Sequence, residues 1–179
     1  RMIGLDQGHL TRGLSGPVSG PEGHDGDVVE LGPAREAIAH QIGTRLARHP
    51  GAALIIDYGH LTSAPGDTLQ AMRRHGFTEV IERPGECDLT SHVDFEALGH
   101  ALREGGAAVL RPMTQRAFLL ALGLEPRFEE LALPADSIVS ATLRRQKARL
   151  ADESQMGNLF KVLAATSPGM PGPYPFGQR

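Results

Sequence analysis

Asp57-Tyr58-Gly59-His60 sets a carboxylate, a phenol, a glycine and an imidazole in a row directly after the apolar run Ala52 to Ile56. A carboxylate can orient a cation, an imidazole can take up a proton near neutral pH, and a glycine lets a ligand come close to the backbone. The alternative is structural: Asp57 caps the following loop and Tyr58 packs. A second concentration, Asp88-Leu89-Thr90-Ser91-His92-Val93-Asp94, holds two carboxylates, two hydroxyls and an imidazole just before a helix. It could orient a cationic substrate or accept a proton, or Ser91 and Asp94 could simply cap that helix. Thr114-Gln115 is open in the same way, as a cap or as an amide donor facing a cleft.

These groups work only if regular elements carry them. Ala52 to Tyr58 is unalternating and bounded by glycine, the pattern of a parallel strand buried on both faces, and ligands of open α/β sheets bind outside the carboxyl ends of such strands. Ahead of it, Pro33 starts a helix reaching to about residue 49, with Ala34, Ile38, Ile42 and Leu46 as its apolar stripe. Phe95, Leu98, Ala101 and Leu102 mark the next helix, which Gly105-Gly106 stops, and a strand follows from Ala107 to Leu110. Thr114 caps a short helix with Phe118, Leu119 and Leu122, ended by Gly123. A longer helix spans Ala135 to Leu150, with Ile138, Val139, Thr142, Leu143 and Leu150 on one side, and Leu159 to Ala165 is the last strand. This order is α/β. Residues 12–26 read as a glycine-rich flexible loop, and 168–179 as a Pro/Gly-rich tail with no core of its own. Residues 1–167 are expected to belong to a single domain.

Several classes are set aside. A net charge of −3 gives no long-range attraction to nucleic acid or to an anionic membrane, and no apolar run approaches the length of a membrane span. Cys87 is alone, which fits a reducing compartment. The eight histidines form no tight ligand pair and Cys87 has no cysteine partner, so no metal site is expected. There is no nucleophile elbow and no phosphate-binding loop. Glu30-Leu31-Gly32-Pro33 resembles a cofactor-binding strand-to-helix turn in outline only, since Ala34 and Glu36 stand where further glycines are needed. The chain opens with Arg1 and goes straight into Met2 to Leu5, which has the look of a strand already under way; a cut or processed chain is expected.

Six motifs in order carry a resemblance. They are Leu54 to His60; Gly66-Asp67-Thr68-Leu69-Gln70 with Arg74-His75; Pro84 to Phe95; Thr114-Gln115 with Phe118-Leu119 and Leu122-Gly123; Gln155-Met156-Gly157; and Leu159 to Leu163. Together they resemble the C-terminal half of the MidA-like family of class I S-adenosylmethionine-dependent methyltransferases, over most of residues 28–165. The resemblance implies part of a Rossmann-like fold, its fifth, sixth and seventh strands, with the N-terminal half absent. S-adenosyl-L-methionine is then the cofactor, bound mainly by that missing half, so that the 179 residues alone are inactive.

The same resemblance implies methylation of arginine on a protein, such as a respiratory complex I subunit, in a bacterial cytoplasm or a mitochondrial matrix. Asp57, His60 and Asp94 are the catalytic candidates, with Tyr58, Gly59, Asp88, His92 and Gln115 on the substrate side. A half-sheet leaves an edge uncovered, so aggregation or a homodimer is expected. The competing class is a non-catalytic α/β interaction module or assembly factor, in which the same motifs cap helices and bind a partner. A hydrolase using Asp57 and His60 lacks an identifiable nucleophile.

Overall fold

A computed structural model describes residues 2–13, 16, 24–74 and 76–177. Most of the expected loop at 12–26, and His75, lie outside the described residues. In chain order the elements are β1 (Met2–Asp6), β2 (His9–Gly13), α1 (Pro33–Arg48), β3 (Ala52–His60), β4 (Gln70–Arg73), β5 (Gly76–Thr78), β6 (Asp88–Thr90) and β7 (Val93–Asp94). There follow α2 (Phe95–Glu104), β8 (Ala108–Val109), β9 (Met113–Thr114), α3 (Gln115–Ala121), α4 (Leu124–Ala132), α5 (Ser137–Ala151), α6 (Met156–Leu159) and β10 (Phe160–Thr166). They gather into two compact units, Arg1–Leu31 with Ala64–His92, and Gly32–Ser63 with Val93–Arg179.

The second unit holds the main sheet, in the order β7-β3-β10-β8, with β9 also paired to β10. The last strand in sequence lies between β3 and β8 and runs antiparallel to both, in register from Phe160↔Tyr58 to Thr166↔Ala52. This corrects the expectation for β3. The strand is parallel only to β7, over Gly59↔Val93 and His60↔Asp94. Nor is it buried on both faces: Ala53 and Ile55 pack on the core, while Leu54 and Ile56 are 51% and 46% exposed. An apolar run without polar alternation could not reveal which of its faces lacks a cover among the described residues.

Helix α2 fills the core with Phe95, Leu98, Ala101 and Leu102, as its spacing predicts. Helix α1 starts at Pro33, whose fixed φ suits the first helical position, and ends with Arg45 and Arg48 near the carbonyl terminus. Its buried residues are Ala39, Gly43 and Leu46, so the stripe is rotated from the expected one and Ile38 is exposed. Glycine decides that rotation. A Cβ on Gly43 would sit 2.3 Å from the Leu102 carbonyl oxygen, and one on Gly105 2.3 Å from that of His40, so α1 and α2 touch backbone to backbone.

Thr114 caps α3 by accepting from the Ala117 amide, and Gly123 takes φ of +89° at its end, both as expected. No element was anticipated at α4, where Pro126 stands in the first turn and no residue is buried. Helix α5 begins two residues later than expected, at Ser137, because Asp136 accepts from the amides of Ile138 and Val139. On its expected apolar side Ile138, Val139 and Leu150 are exposed, while Thr142 and Leu143 are half-buried. Leu159 closes α6 and is not part of β10. The tail borrows contacts from α3, through Tyr174 to the Ala121 carbonyl and the ring of Phe176 against Phe118.

The first unit contains the β1-β2 hairpin, turned at Gln7 and Gly8 with φ of 46° and 83°, and a small sheet in the order β5-β4-β6. None of β4 to β6 is legible in the sequence, since Ala71 alone among their residues is buried and no alternation forms.

Candidate functional site

In the parallel pairing of β3 with β7, His60 lies opposite Asp94. Gly59 makes that crossing possible: a Cβ there would stand 2.0 Å from the Val93 carbonyl oxygen. The close approach this glycine permits is to a neighbouring strand. Asp94 is the N-cap of α2. Its Oδ1 accepts from the amides of Glu96 and Ala97 at 3.0 Å each, and its Oδ2 accepts from the Ser63 hydroxyl at 2.6 Å. Nε2 of His60 stands 3.6 Å from the same Oδ2.

Partial burial works against the charge on Asp94, but the Ser63 hydrogen bond, the Ala97 amide, the facing imidazole and the Glu96 amide outweigh it and hold its carboxyl below the ordinary range. An ionised carboxylate thus sits beside an imidazole that is about a third exposed. The arrangement can fix the ring's orientation, with Nε2 as the nitrogen that faces the carboxylate. Ser63 and Glu96, absent from the sequence prediction, complete it: the Ser63 amide donates to Glu96 Oε2 at 2.8 Å. Glu96 two residues after a capping aspartate was the available signal. Ser63 had none, since its neighbourhood reads as loop.

The other predicted residues are dispersed. Side chains alternate along a strand, so Asp57 falls on the face of Ala53 and Ile55, and Tyr58 and His60 on that of Leu54 and Ile56. The Asp57 carboxylate accepts from the Tyr58 amide at 2.8 Å, and no bond to the loop after Gly59 is formed by it. Tyr58 packs edge-on against Phe160, with ring centroids 5.6 Å apart. Gln115 is buried and its amide donates to the Leu150 carbonyl at 2.8 Å, so it ties α3 to the end of α5. Asp88 and His92 belong to the first unit. Asp88 pairs with Met72 across β6 and β4, and the His92 amide donates to Thr68 Oγ1 at 2.9 Å. Ser91 does not cap α2, which Asp94 caps alone.

The remaining motifs have local explanations. Glu30 accepts from the amides of Thr68 and Leu69 at 2.9 Å each and from the Thr68 hydroxyl, which accounts for Gly66 to Gln70 as a strap. At Gly32 the Arg35 side chain lies over the backbone, with Nε 2.7 Å from where a Cβ would be. Gly157 is required because a Cβ would be 2.5 Å from the Ala151 carbonyl oxygen.

Comparison with known proteins bears on what such a site serves. Residues 10–113 match the model of a family described as "Putative S-adenosyl-L-methionine-dependent methyltransferase". The chain is 34% identical over 136 residues to the mitochondrial protein arginine methyltransferase NDUFAF7 of Danio rerio, covering 76% of this chain and 32% of that protein. It is 35% identical over 139 residues to the Xenopus tropicalis protein of the same name, covering 77% and 32%. A crystal structure of a "likely methyl transferase" from Burkholderia thailandensis, bound to S-adenosyl-homocysteine, superposes with a TM-score of 0.79 at 28% identity, over 92% of this chain and 46% of that one. The chain spans about a third of the length of the curated relatives it matches. With the family model matched over more than half of its residues, and with the fold shared, the chain belongs to this family of S-adenosyl-L-methionine-dependent methyltransferases.

Proposed function

We propose that this chain supplies the acceptor side of a methyltransferase that modifies arginine on a protein, with His60 as the proton acceptor and Asp94 as the group that orients it. The observation that carries this reading is the ionised Asp94 carboxylate facing His60 Nε2 at the carboxyl end of β3. S-adenosyl-L-methionine supplies the methyl group in this family. A guanidinium that gains a methyl group must shed a proton, and His60 can receive it at Nδ1, the ring nitrogen that does not face Asp94. Asp57 stands on the other face of β3 and contributes negative charge to the strand end. Gly32 does not fit a cofactor cradle, so the cofactor is assigned to polypeptide that the relatives possess beyond the part matched here.

The test is a chimaera that completes the 179 residues with the remaining part of the Burkholderia thailandensis relative. It is offered S-adenosyl-L-methionine and arginine-containing proteins, and the products are searched for methylarginine by mass spectrometry. The expected result is transfer that His60→Gln lowers by about a hundredfold while affinity for S-adenosyl-homocysteine is kept. A chimaera that binds S-adenosyl-homocysteine and methylates other residues, but never arginine, removes the acceptor assignment. Full activity in His60→Gln removes the proton-acceptor role.

A further inference from the structure

Lys161 on β10 is buried, with only 9% of its surface exposed. Its Nζ donates to the carbonyl oxygens of Gly59 at 2.7 Å, of Leu159 at 3.1 Å and of Asn158. An ammonium has three protons and no acceptor, so these three carbonyls use it completely. Two of them, from Asn158 and Leu159, belong to the terminal turn of α6, where helix carbonyls lack intrahelical partners. The third belongs to the residue immediately before His60. No salt-bridge carboxylate accompanies Lys161 among the described residues, although Asp57 is its register partner on β3. A buried cation held only by neutral carbonyls is costly unless every donor is matched, and an apolar residue would serve the core better.

We propose that Lys161 is a positioning residue: its ammonium clamps the Gly59 carbonyl to the end of α6 and thereby fixes the end of β3, which places His60 opposite Asp94. This inference rests on the reading above for its functional meaning, though not for its test. The clamp acts where β3 pairs with β7, at Gly59, which has no side chain and meets the backbone of Val93 directly. Without the ammonium, the Gly59 carbonyl has no donor on that side, and the His60 to Asp94 distance is no longer held.

Amide hydrogen exchange on the 179-residue chain reads this geometry without any assay of methyl transfer. In Lys161→Met, exchange is expected to quicken by about tenfold or more at Gly59, His60 and Asp94, with Ala53 to Ile56 of β3 unchanged. In Lys161→Ala, added propylammonium restores slow exchange, whereas propanol, which fills the same space with a single donor, does not. Unchanged exchange at Gly59 and His60, uniform loss along β3 and β10, or equal rescue by propanol would each overturn the proposal. Should Lys161→Ala fail to fold, the pattern in Lys161→Met decides alone. Failure of the chimaera to methylate arginine leaves these exchange outcomes intact, so the two readings fail separately.

Discussion

In the unit built on β3 and β10, Phe95, Leu102, Val162 and Leu163 are at most 1% exposed, whereas around β4 only Ala71 reaches that burial, and Phe77 and Leu89 stand 74% and 59% exposed. The first unit is tied by polar groups: Glu30 gathers Thr68 and Leu69, the His92 amide reaches Thr68, and Gly66 donates to the Val28 carbonyl. One unit is therefore held by the removal of aliphatic surface from water, and the other by hydrogen bonds, three of them to the Glu30 carboxylate. The difference matters for the site, because His60, Ser63 and Asp94 all belong to the aliphatic unit.

The largest effect expected from this contrast lies in a pair of leucines. Leu102→Ala should cost about 3–4 kcal/mol by leaving a cavity in the core, while Leu89→Ala should stay within about 0.5 kcal/mol. Chemical denaturation of both variants measures it. A Leu89 variant as damaging as the Leu102 one would mean that β6 is covered in solution, and the contrast would break. Next in size is Glu30→Gln, which removes one acceptor oxygen and the charge from the strap, at about 1–2 kcal/mol. Exchange should quicken at residues 66–69 with the β3 and β10 amides unaffected; a uniform change would show that the strap also supports the larger unit.

The same contrast explains what could be read in advance. Helix α2 was legible in its apolar spacing and in Gly105-Gly106 at its end, while its start was not, since Asp94 caps it without Ser91. The strands β3 and β10 were legible as apolar runs, but their antiparallel pairing is a long-range fact that no local pattern carries. The stripe of α1 was misplaced because two glycines, Gly43 and Gly105, set the helix contact, and a hydrophobic count gives glycine no weight. The first unit was nearly silent, since hydrogen bonds to Glu30 leave no periodicity. At the site, His60 and Asp94 were picked for their chemistry and do meet. Asp57 is close to His60 in sequence but lies on the other face of β3, and Lys161 is silent in the sequence because a lysine in an apolar strand signals nothing until its three carbonyls are seen.

The smallest effect is the most informative about the site. Asp94→Asn keeps a carbonyl oxygen for the amides of Glu96 and Ala97, so the cap survives, but it deletes the charge that faces His60 and accepts from Ser63. The carboxyl of Asp94 is held below its ordinary value of 3.8 in the folded chain. A carboxylate whose folded value is depressed lends stability that is present above the unfolded value and lost as pH falls through the folded one. The native chain should accordingly exceed Asp94→Asn by about 1 kcal/mol at neutral pH, and the gap should close on acidification below the ordinary carboxylate range. Denaturation midpoints followed down the acid limb measure the gap. If it stayed constant at every pH, the aspartate would be acting through shape alone, and the ionised carboxylate beside His60 would lose its part in the site.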